Sequence, residues 1–366
     1  MFSRRCFLAL WGVFTLFSFA VPVQAEMVTF RDEARVQVDY AEDYDLGAYL
    51  AYLLALRKVL AQAHPFMASQ DFVKQAMMEP EKIDVLAYLL IQHKLSYVSK
   101  AESQSDRSIV HKIKLDYETL GFPTDISEIY LRSIGDWVFV KYLLEQNQEL
   151  EKALIEYLQE VRASSDRAYQ KLLRDTKGKA LLQKYQAFQL QDVLSYHLAK
   201  SETERALETL DQMVTLNPDS VAYRVEYALL LMHTARARRE RYPDHPERNE
   251  QALNQISKLV GQVKDDGGVR LVRALIHFNQ GLVLDQALED VNQVIATNPQ
   301  NNFAHLLKGL IALKMRNRSL AQRSFETACE LTSKERYSDC KARALNLLNR
   351  RFTRNQMLRF EGHLIH

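Results

Sequence analysis

Ala206-Leu207-Glu208, running on to Gln212 and Asn217-Pro218, and Ala287-Leu288-Glu289, running on to Gln293 and Asn298-Pro299, repeat the same residues at the same internal spacing. A step of 34 residues from Ala287 reaches Ala321, and the same step carries Val291 to Phe325 and Val294 to Ala328. Apolar residues recur at helical spacing within each copy. The small Ala287 and Ala321 permit close helix approach, and Val291 and Phe325 fill the groove between paired helices. The proline ends the second helix of each pair before the next begins. A pair of this kind leaves an apolar face open unless a neighbour stacks on it, which predicts a mainly α chain ending in a helical solenoid.

Between the clear copies lies a degenerate one, with Tyr223 to Ala235 as its first helix and Gln251 to Val260 as its second. Ala206 and Ala252 stand 46 residues apart instead of 34, while Ala252 and Ala287 stand 35 apart. The surplus falls at 236–249, where Arg236, Arg238, Arg239, Arg241 and Arg248 accompany Tyr242-Pro243-Asp244-His245-Pro246. This stretch is expected as an exposed loop, either a solvated linker or a contact loop.

The 34-residue period is that of tetratricopeptide (TPR) repeats, and residues 201–350 resemble such an array. Ala206, Leu210 and Pro218 stand at the consensus small, aliphatic and proline positions. Gly309 matches the glycine of the first helix and Phe278 its later aromatic, whereas Lys308, Ala312 and Ser333 depart from the pattern. The resemblance implies a concave groove lined by first helices. Carried over by position, the groove residues are Val225, Leu229 and His233, then Val272, Ile276 and Asn279, then Phe303, Leu306, Leu310 and Lys314. Such a groove suits an apolar or amphipathic peptide of a protein partner, unless the chain's own terminal segment, 351–366, caps it.

Arg4 and Arg5, the apolar run from Phe7 to Val21 and the small residues at Val23-Gln24-Ala25 have the layout of a secretory signal over 1–25. The apolar run is shorter than the roughly 20 residues that span a bilayer. Ser3-Arg4-Arg5-Cys6-Phe7-Leu8 also resembles the twin-arginine export motif, the general secretory route being the other reading. Cleavage after either route gives a periplasmic or secreted protein, the alternative being an uncleaved anchor. Loss of Arg4 and Arg5 leaves basic groups equal in number to the 46 acidic ones. A neutral mature chain argues against nucleic acid as a partner, because phosphate neutralisation needs a basic excess. From Asn301 onward 13 Lys and Arg face 5 Asp and Glu, which reads as a solvated basic face or as contact with an anionic surface.

Glycine is scarce, 11 among 366 residues, which favours helices over glycine-rich catalytic loops. Cys6 leaves with the signal, and Cys329 and Cys340 remain as a candidate disulfide, the alternative being two buried thiols. Without a CxxC pair or clustered histidines, and with only the terminal His363 and His366 near one another, no metal or cofactor is expected. No GxSxG, HExxH, Walker or GxGxxG sequence occurs. The chain therefore reads as a binding scaffold rather than an enzyme, with surface acids such as Asp32, Glu33, Asp265 and Asp266. An envelope enzyme that docks through its repeats, or a membrane-surface assembly factor, is the alternative.

Toward the N-terminus, Val28, Phe30, Ala34, Val36, Val38 and Tyr40 alternate with polar residues, which predicts a half-buried strand. A helix over 45–63 should follow, ended by Pro65. A hairpin should then pair 95–103 with 108–118 around Ser105-Asp106-Arg107, with His111 packed on its apolar face. This strand-helix-hairpin order over 27–120 resembles the small α/β module of the flagellar assembly protein FlgT and related envelope lipoprotein domains, which implies an envelope docking role. Residues 121–200 read as a helical connector or degenerate repeats, broken at Gly178.

Overall fold

In the computed structural model, residues 27–70, 83–88, 96–103, 107–118, 134–235, 246–281, 283–331, 340–341, 344–345 and 348 are described. The chain is mostly helical, with a small sheet at its N-terminal end. Three strands, β1 (Met27–Gln37), β2 (Ser96–Ser103) and β3 (Ser108–Glu118), form an antiparallel sheet in the order β1-β3-β2. Alternation along β1 sets its faces: Ala34 and Val36 are buried, while Arg31, Glu33 and Arg35 face solvent. Arg107 takes a left-handed φ of 62° just before β3, and its carbonyl accepts the Val38 amide at 3.0 Å.

Helix α1 (Tyr44–Ser69) covers the sheet with Leu46, Tyr49, Leu50, Leu53, Leu56 and Val59. It runs through Pro65, where the sequence predicts a stop. Proline forfeits one helical hydrogen bond, but the turn beyond it is fixed by packing. Phe66 sets its ring edge against Phe30 at 5.5 Å, and Met67 is buried with Ile83, Leu86 and Ala87 of the short helix α2 (83–88). His64 Nδ1 lies 2.6 Å from the Asp84 carboxylate.

The long helix α3 (Ile134–Ala163) joins the two ends of the molecule. Its second half, through Leu150, Leu154, Tyr157 and Val161, shares a core with Val36, Val38 and α1. Its first half, through Val138, Val140, Tyr142 and Leu143, belongs to the main core of the C-terminal helices. Helix α4 (Arg167–Leu173) leads through a π-turn over Arg174–Gly178 into α5 (Lys179–Ala199). Gly178 is therefore no break. It is a close approach, since a Cβ there would lie 2.7 Å from the Tyr157 hydroxyl.

Helices α6 (Thr203–Leu216), α7 (Val221–Thr234), α8 (Pro246–Ser257), α9 (Gly267–Gln280), α10 (Leu284–Thr297), α11 (Asn302–Lys314) and α12 (Arg318–Glu330) follow, each packed on the next. Contact is most extensive within the pairs α5 and α6, α7 and α8, α9 and α10, and α11 and α12. Ala206, Ala252, Ala287 and Ala321 are all fully buried. Gly309 lets α11 meet Phe325, whose ring would lie 2.4 Å from an added Cβ. The Asn-Pro turns close α6 and α10 alike. Asn217 has φ −134° and ψ 76°, Asn298 has φ −136° and ψ 86°, and their amides donate to Met213 and Val294. Ser220 and Asn301 then cap α7 and α11, accepting from the Tyr223 and Ala304 amides at 3.2 and 3.0 Å.

Candidate functional site

The residues assigned to a groove fall on the first helices of these pairs, and most are not on the surface. Val225, Val272 and Ile276 are fully buried, and Leu229, Asn279, Phe303 and Leu310 are buried as well. A fully buried side chain has no face left for a partner, so these residues serve the core. His233, Leu306 and Lys314 are half-buried. Lys314 sets its ammonium 4.4 Å from the centre of the Phe278 ring and donates to the Phe278 carbonyl. Its charge thereby helps to finish α9 at the left-handed Gly281.

Helix α3 packs along α7 and reaches α9. Gly268 opens the way, because a Cβ there would sit 3.0 Å from Val138 and 3.2 Å from the Tyr142 hydroxyl. The Tyr142 hydroxyl donates to the Asp265 carbonyl at 2.7 Å, and Lys141 pairs with the Asp265 carboxylate. Ser220 donates to Gln146 at 2.5 Å, so the cap of α7 is itself tied to α3. Burial raises the Tyr142 hydroxyl pKa well beyond its ordinary value, with the Asp265 charge adding to it. It acts as a neutral donor. The terminal segment 351–366, which the sequence offers as an internal cap or a tail, lies outside the described residues.

Asp265 and Asp266, read as surface acids, join elements. Asp265 also accepts the Gly267 amide at 3.2 Å, while Asp266 accepts the Gly261 amide at 3.0 Å and pairs with Arg270 at 2.8 Å. Three buried carboxylates escaped the sequence reading. Asp43 accepts from the Tyr157 hydroxyl at 2.7 Å and from Arg174 Nη2 at 3.1 Å, and Arg174 lies 4.5 Å from the centre of the Tyr40 ring. Asp290 is held by Arg273 at 2.6 and 2.7 Å and by Arg270 at 3.3 Å. Glu151 pairs with Arg57 at 2.5 Å. Hydrogen bonding to Asp43 and to Asp290 raises the pKa of Arg174 and of Arg273, respectively. Asp43 and Asp290 are bound on both oxygens by guanidinium or phenol and Glu151 on one, so these buried pairs fasten helices.

Arg236, Arg238, Arg239 and Arg241 lie outside the described residues. The inserted stretch ends earlier than its sequence suggests, because α8 begins at Pro246. Proline at the first helical position loses no hydrogen bond, and Arg248 is tied to the Glu204 carboxylate at 2.7 Å. His111 sits on β3, edge-on to Tyr52 at 5.2 Å, and burial lowers its pKa. His277 on α9 is buried too, and its pKa is lowered by burial, against the opposing pull of Asp290. His363 and His366 lie outside the described residues, and no cluster of metal-binding side chains occurs among those described.

Cys329, at the end of α12, is bonded to Cys340 with their Cα atoms 5.5 Å apart. Beside α12, half-buried Lys308 has its pKa lowered by burial and by the Arg323 charge. No helix among the described residues is long and apolar enough to cross a membrane. No family model, curated protein or solved structure matches this chain.

Proposed function

We propose that this chain is an exported envelope scaffold whose C-terminal helices form a TPR-type solenoid that binds a protein or peptide partner. The observation that carries the reading is the equivalence of the turns at Asn217-Pro218 and Asn298-Pro299. Each ends a second helix with nearly the same backbone angles and hands over to a first helix capped by its own side chain. Equivalent turns at equivalent sequence positions are what a stack of identical units requires, and stacked units make extended binding surfaces. The surface offered to a partner lies on α11, around half-buried Leu306 and its neighbour His305. An apolar peptide side chain would rest there, beside polar groups that hold its backbone.

Site-specific photo-crosslinking in the native envelope tests this. A photoreactive residue at Leu306 should trap one dominant protein, and the same residue at Gln183, exposed on α5, should not. Equal capture from both sites, or none from Leu306, would reject the α11 surface as the binding site.

A further inference from the structure

We propose that Lys58, Gln62 and Arg162 guard the outer edge of β1 against antiparallel pairing with β1 of a second copy of this chain. In the order β1-β3-β2, β1 is an edge of the described sheet and meets β3 from Met27, opposite Glu118, to Gln37, opposite Ser108. Main-chain groups of an antiparallel strand point alternately toward its neighbour and away from it. The Val38 amide donates to the Arg107 carbonyl on the β3 side, so even-numbered residues of β1 face β3 and odd-numbered ones face outward. Side chains meet those outward groups. Gln62 donates to the Arg31 carbonyl at 3.3 Å, Lys58 to the Glu33 carbonyl at 2.8 Å and Arg162 to the Gln37 carbonyl at 3.2 Å. The Glu33 amide donates to Asp32 Oδ1 at 2.8 Å. Each guard is anchored by an acid as well: Gln62 donates to Asp32 Oδ2 at 2.7 Å, Lys58 lies 3.7 Å from Asp32, and Arg162 donates to Asp39 at 2.7 Å.

A strand edge is a template for another strand, and long polar side chains are one means of blunting it. The sequence of β1 fits a second copy of itself. Arg31, Glu33 and Arg35 are exposed on one face. With Ala34 at the two-fold axis, antiparallel pairing sets Glu33 of each copy opposite Arg35 of the other and Arg31 opposite Gln37. Opposite charges facing across antiparallel strands attract, and no like charges face each other in this register. The new ladder would need the Arg31, Glu33 and Gln37 carbonyls, which the three guards already occupy, so guarding and pairing exclude one another. Gln62 is exposed, and the Lys58 and Arg162 side chains are 50% and 53% exposed. Their loss therefore leaves the core of α1, α3 and the sheet in place.

The solution mass of the full chain tests this, measured by light scattering on wild type, on the Lys58→Ala, Gln62→Ala, Arg162→Ala triple variant, and on that triple variant carrying Glu33→Pro. Proline at an outward position removes an N–H that β3 does not use but a second copy would. The mass of the triple variant should be double that of wild type, and hydrogen exchange over 28–37 should slow. Glu33→Pro should restore the wild-type mass, with the helical circular dichroism unchanged. A triple variant of wild-type mass would overturn the proposal, because the edge would then need no guard. A doubled mass that survives Glu33→Pro would overturn it too, placing the association on another surface. Wild type that is already a dimer, and that Glu33→Pro alone makes monomeric, would show the edge pairing in spite of the three side chains and remove their role.

Discussion

Replacing Gly309 by alanine tests the packing that the repeat signature implies. In an open helix this change would stabilise the chain by about 1 kcal/mol, because glycine is the poorer helix former. Here the new Cβ would lie 2.4 and 2.5 Å from Cε1 and Cδ1 of Phe325, more than an ångström inside ordinary contact. Phe325 is 1% exposed and packed between α11 and α12, so its ring cannot swing into solvent. Overpacking of a rigid core costs about 1–3 kcal/mol, and backbone separation of α11 from α12 is the only other relief. At the upper end of that cost the net effect is a loss of about 2 kcal/mol. Urea unfolding of wild type, Gly309→Ala, Phe325→Leu and the double variant measures it. Leucine makes room for the methyl group, so the double variant should be more stable than the two single losses summed, by about 1 kcal/mol. A Gly309→Ala chain more stable than wild type would refute the close-approach argument.

Asp290→Asn should cost about 3 kcal/mol, because it leaves Arg273 and Arg270 facing a neutral group in a site 2% exposed; chemical denaturation reads it. Gly178→Ala should push the Tyr157 hydroxyl from Asp43 and cost about 1–3 kcal/mol, seen as a lower midpoint in thermal unfolding. The pKa of His277 is depressed by burial from its ordinary 6.5, so the native state binds fewer protons than the unfolded chain. Its contribution is complete above pH 6.5 and declines as pH falls below that value toward the folded pKa. His277→Gln should therefore flatten the stability profile below pH 6.5, compared at fixed salt with wild type. Unaltered slopes would remove His277 from the acid response.

The parts of the fold written in short-range pattern were legible. Alternation from Val28 to Val38 marked β1, and polar and apolar alternation marked β3. The recurrence of Ala-Leu-Glu and Asn-Pro marked the ends of α6 and α10. Pro65 misled because the helix rule is local, whereas the turn beyond it is held by Phe30 and α2 across the chain. Gly178 misled for a related reason: its lack of a side chain serves Tyr157 on another helix, not a break in its own.

The packing of α3 on α7 and α9 is recorded by no period in the sequence. Its contacts with Asp265 and Gly268 span more than a hundred residues, and its cap bond joins Gln146 to Ser220. A signal was present nonetheless. Val138, Phe139, Val140, Tyr142 and Leu143 give the start of α3 an apolar face of roughly 200° at 100° per residue, wider than the stripe needed to pack on one surface. Those five side chains are all buried. Val225, Val272 and Ile276, carried over from the repeat resemblance as groove residues, are fully buried. The search for a partner starts at α11, where Leu306 is half-buried while Val225, Val272 and Ile276 on α7 and α9 are fully buried.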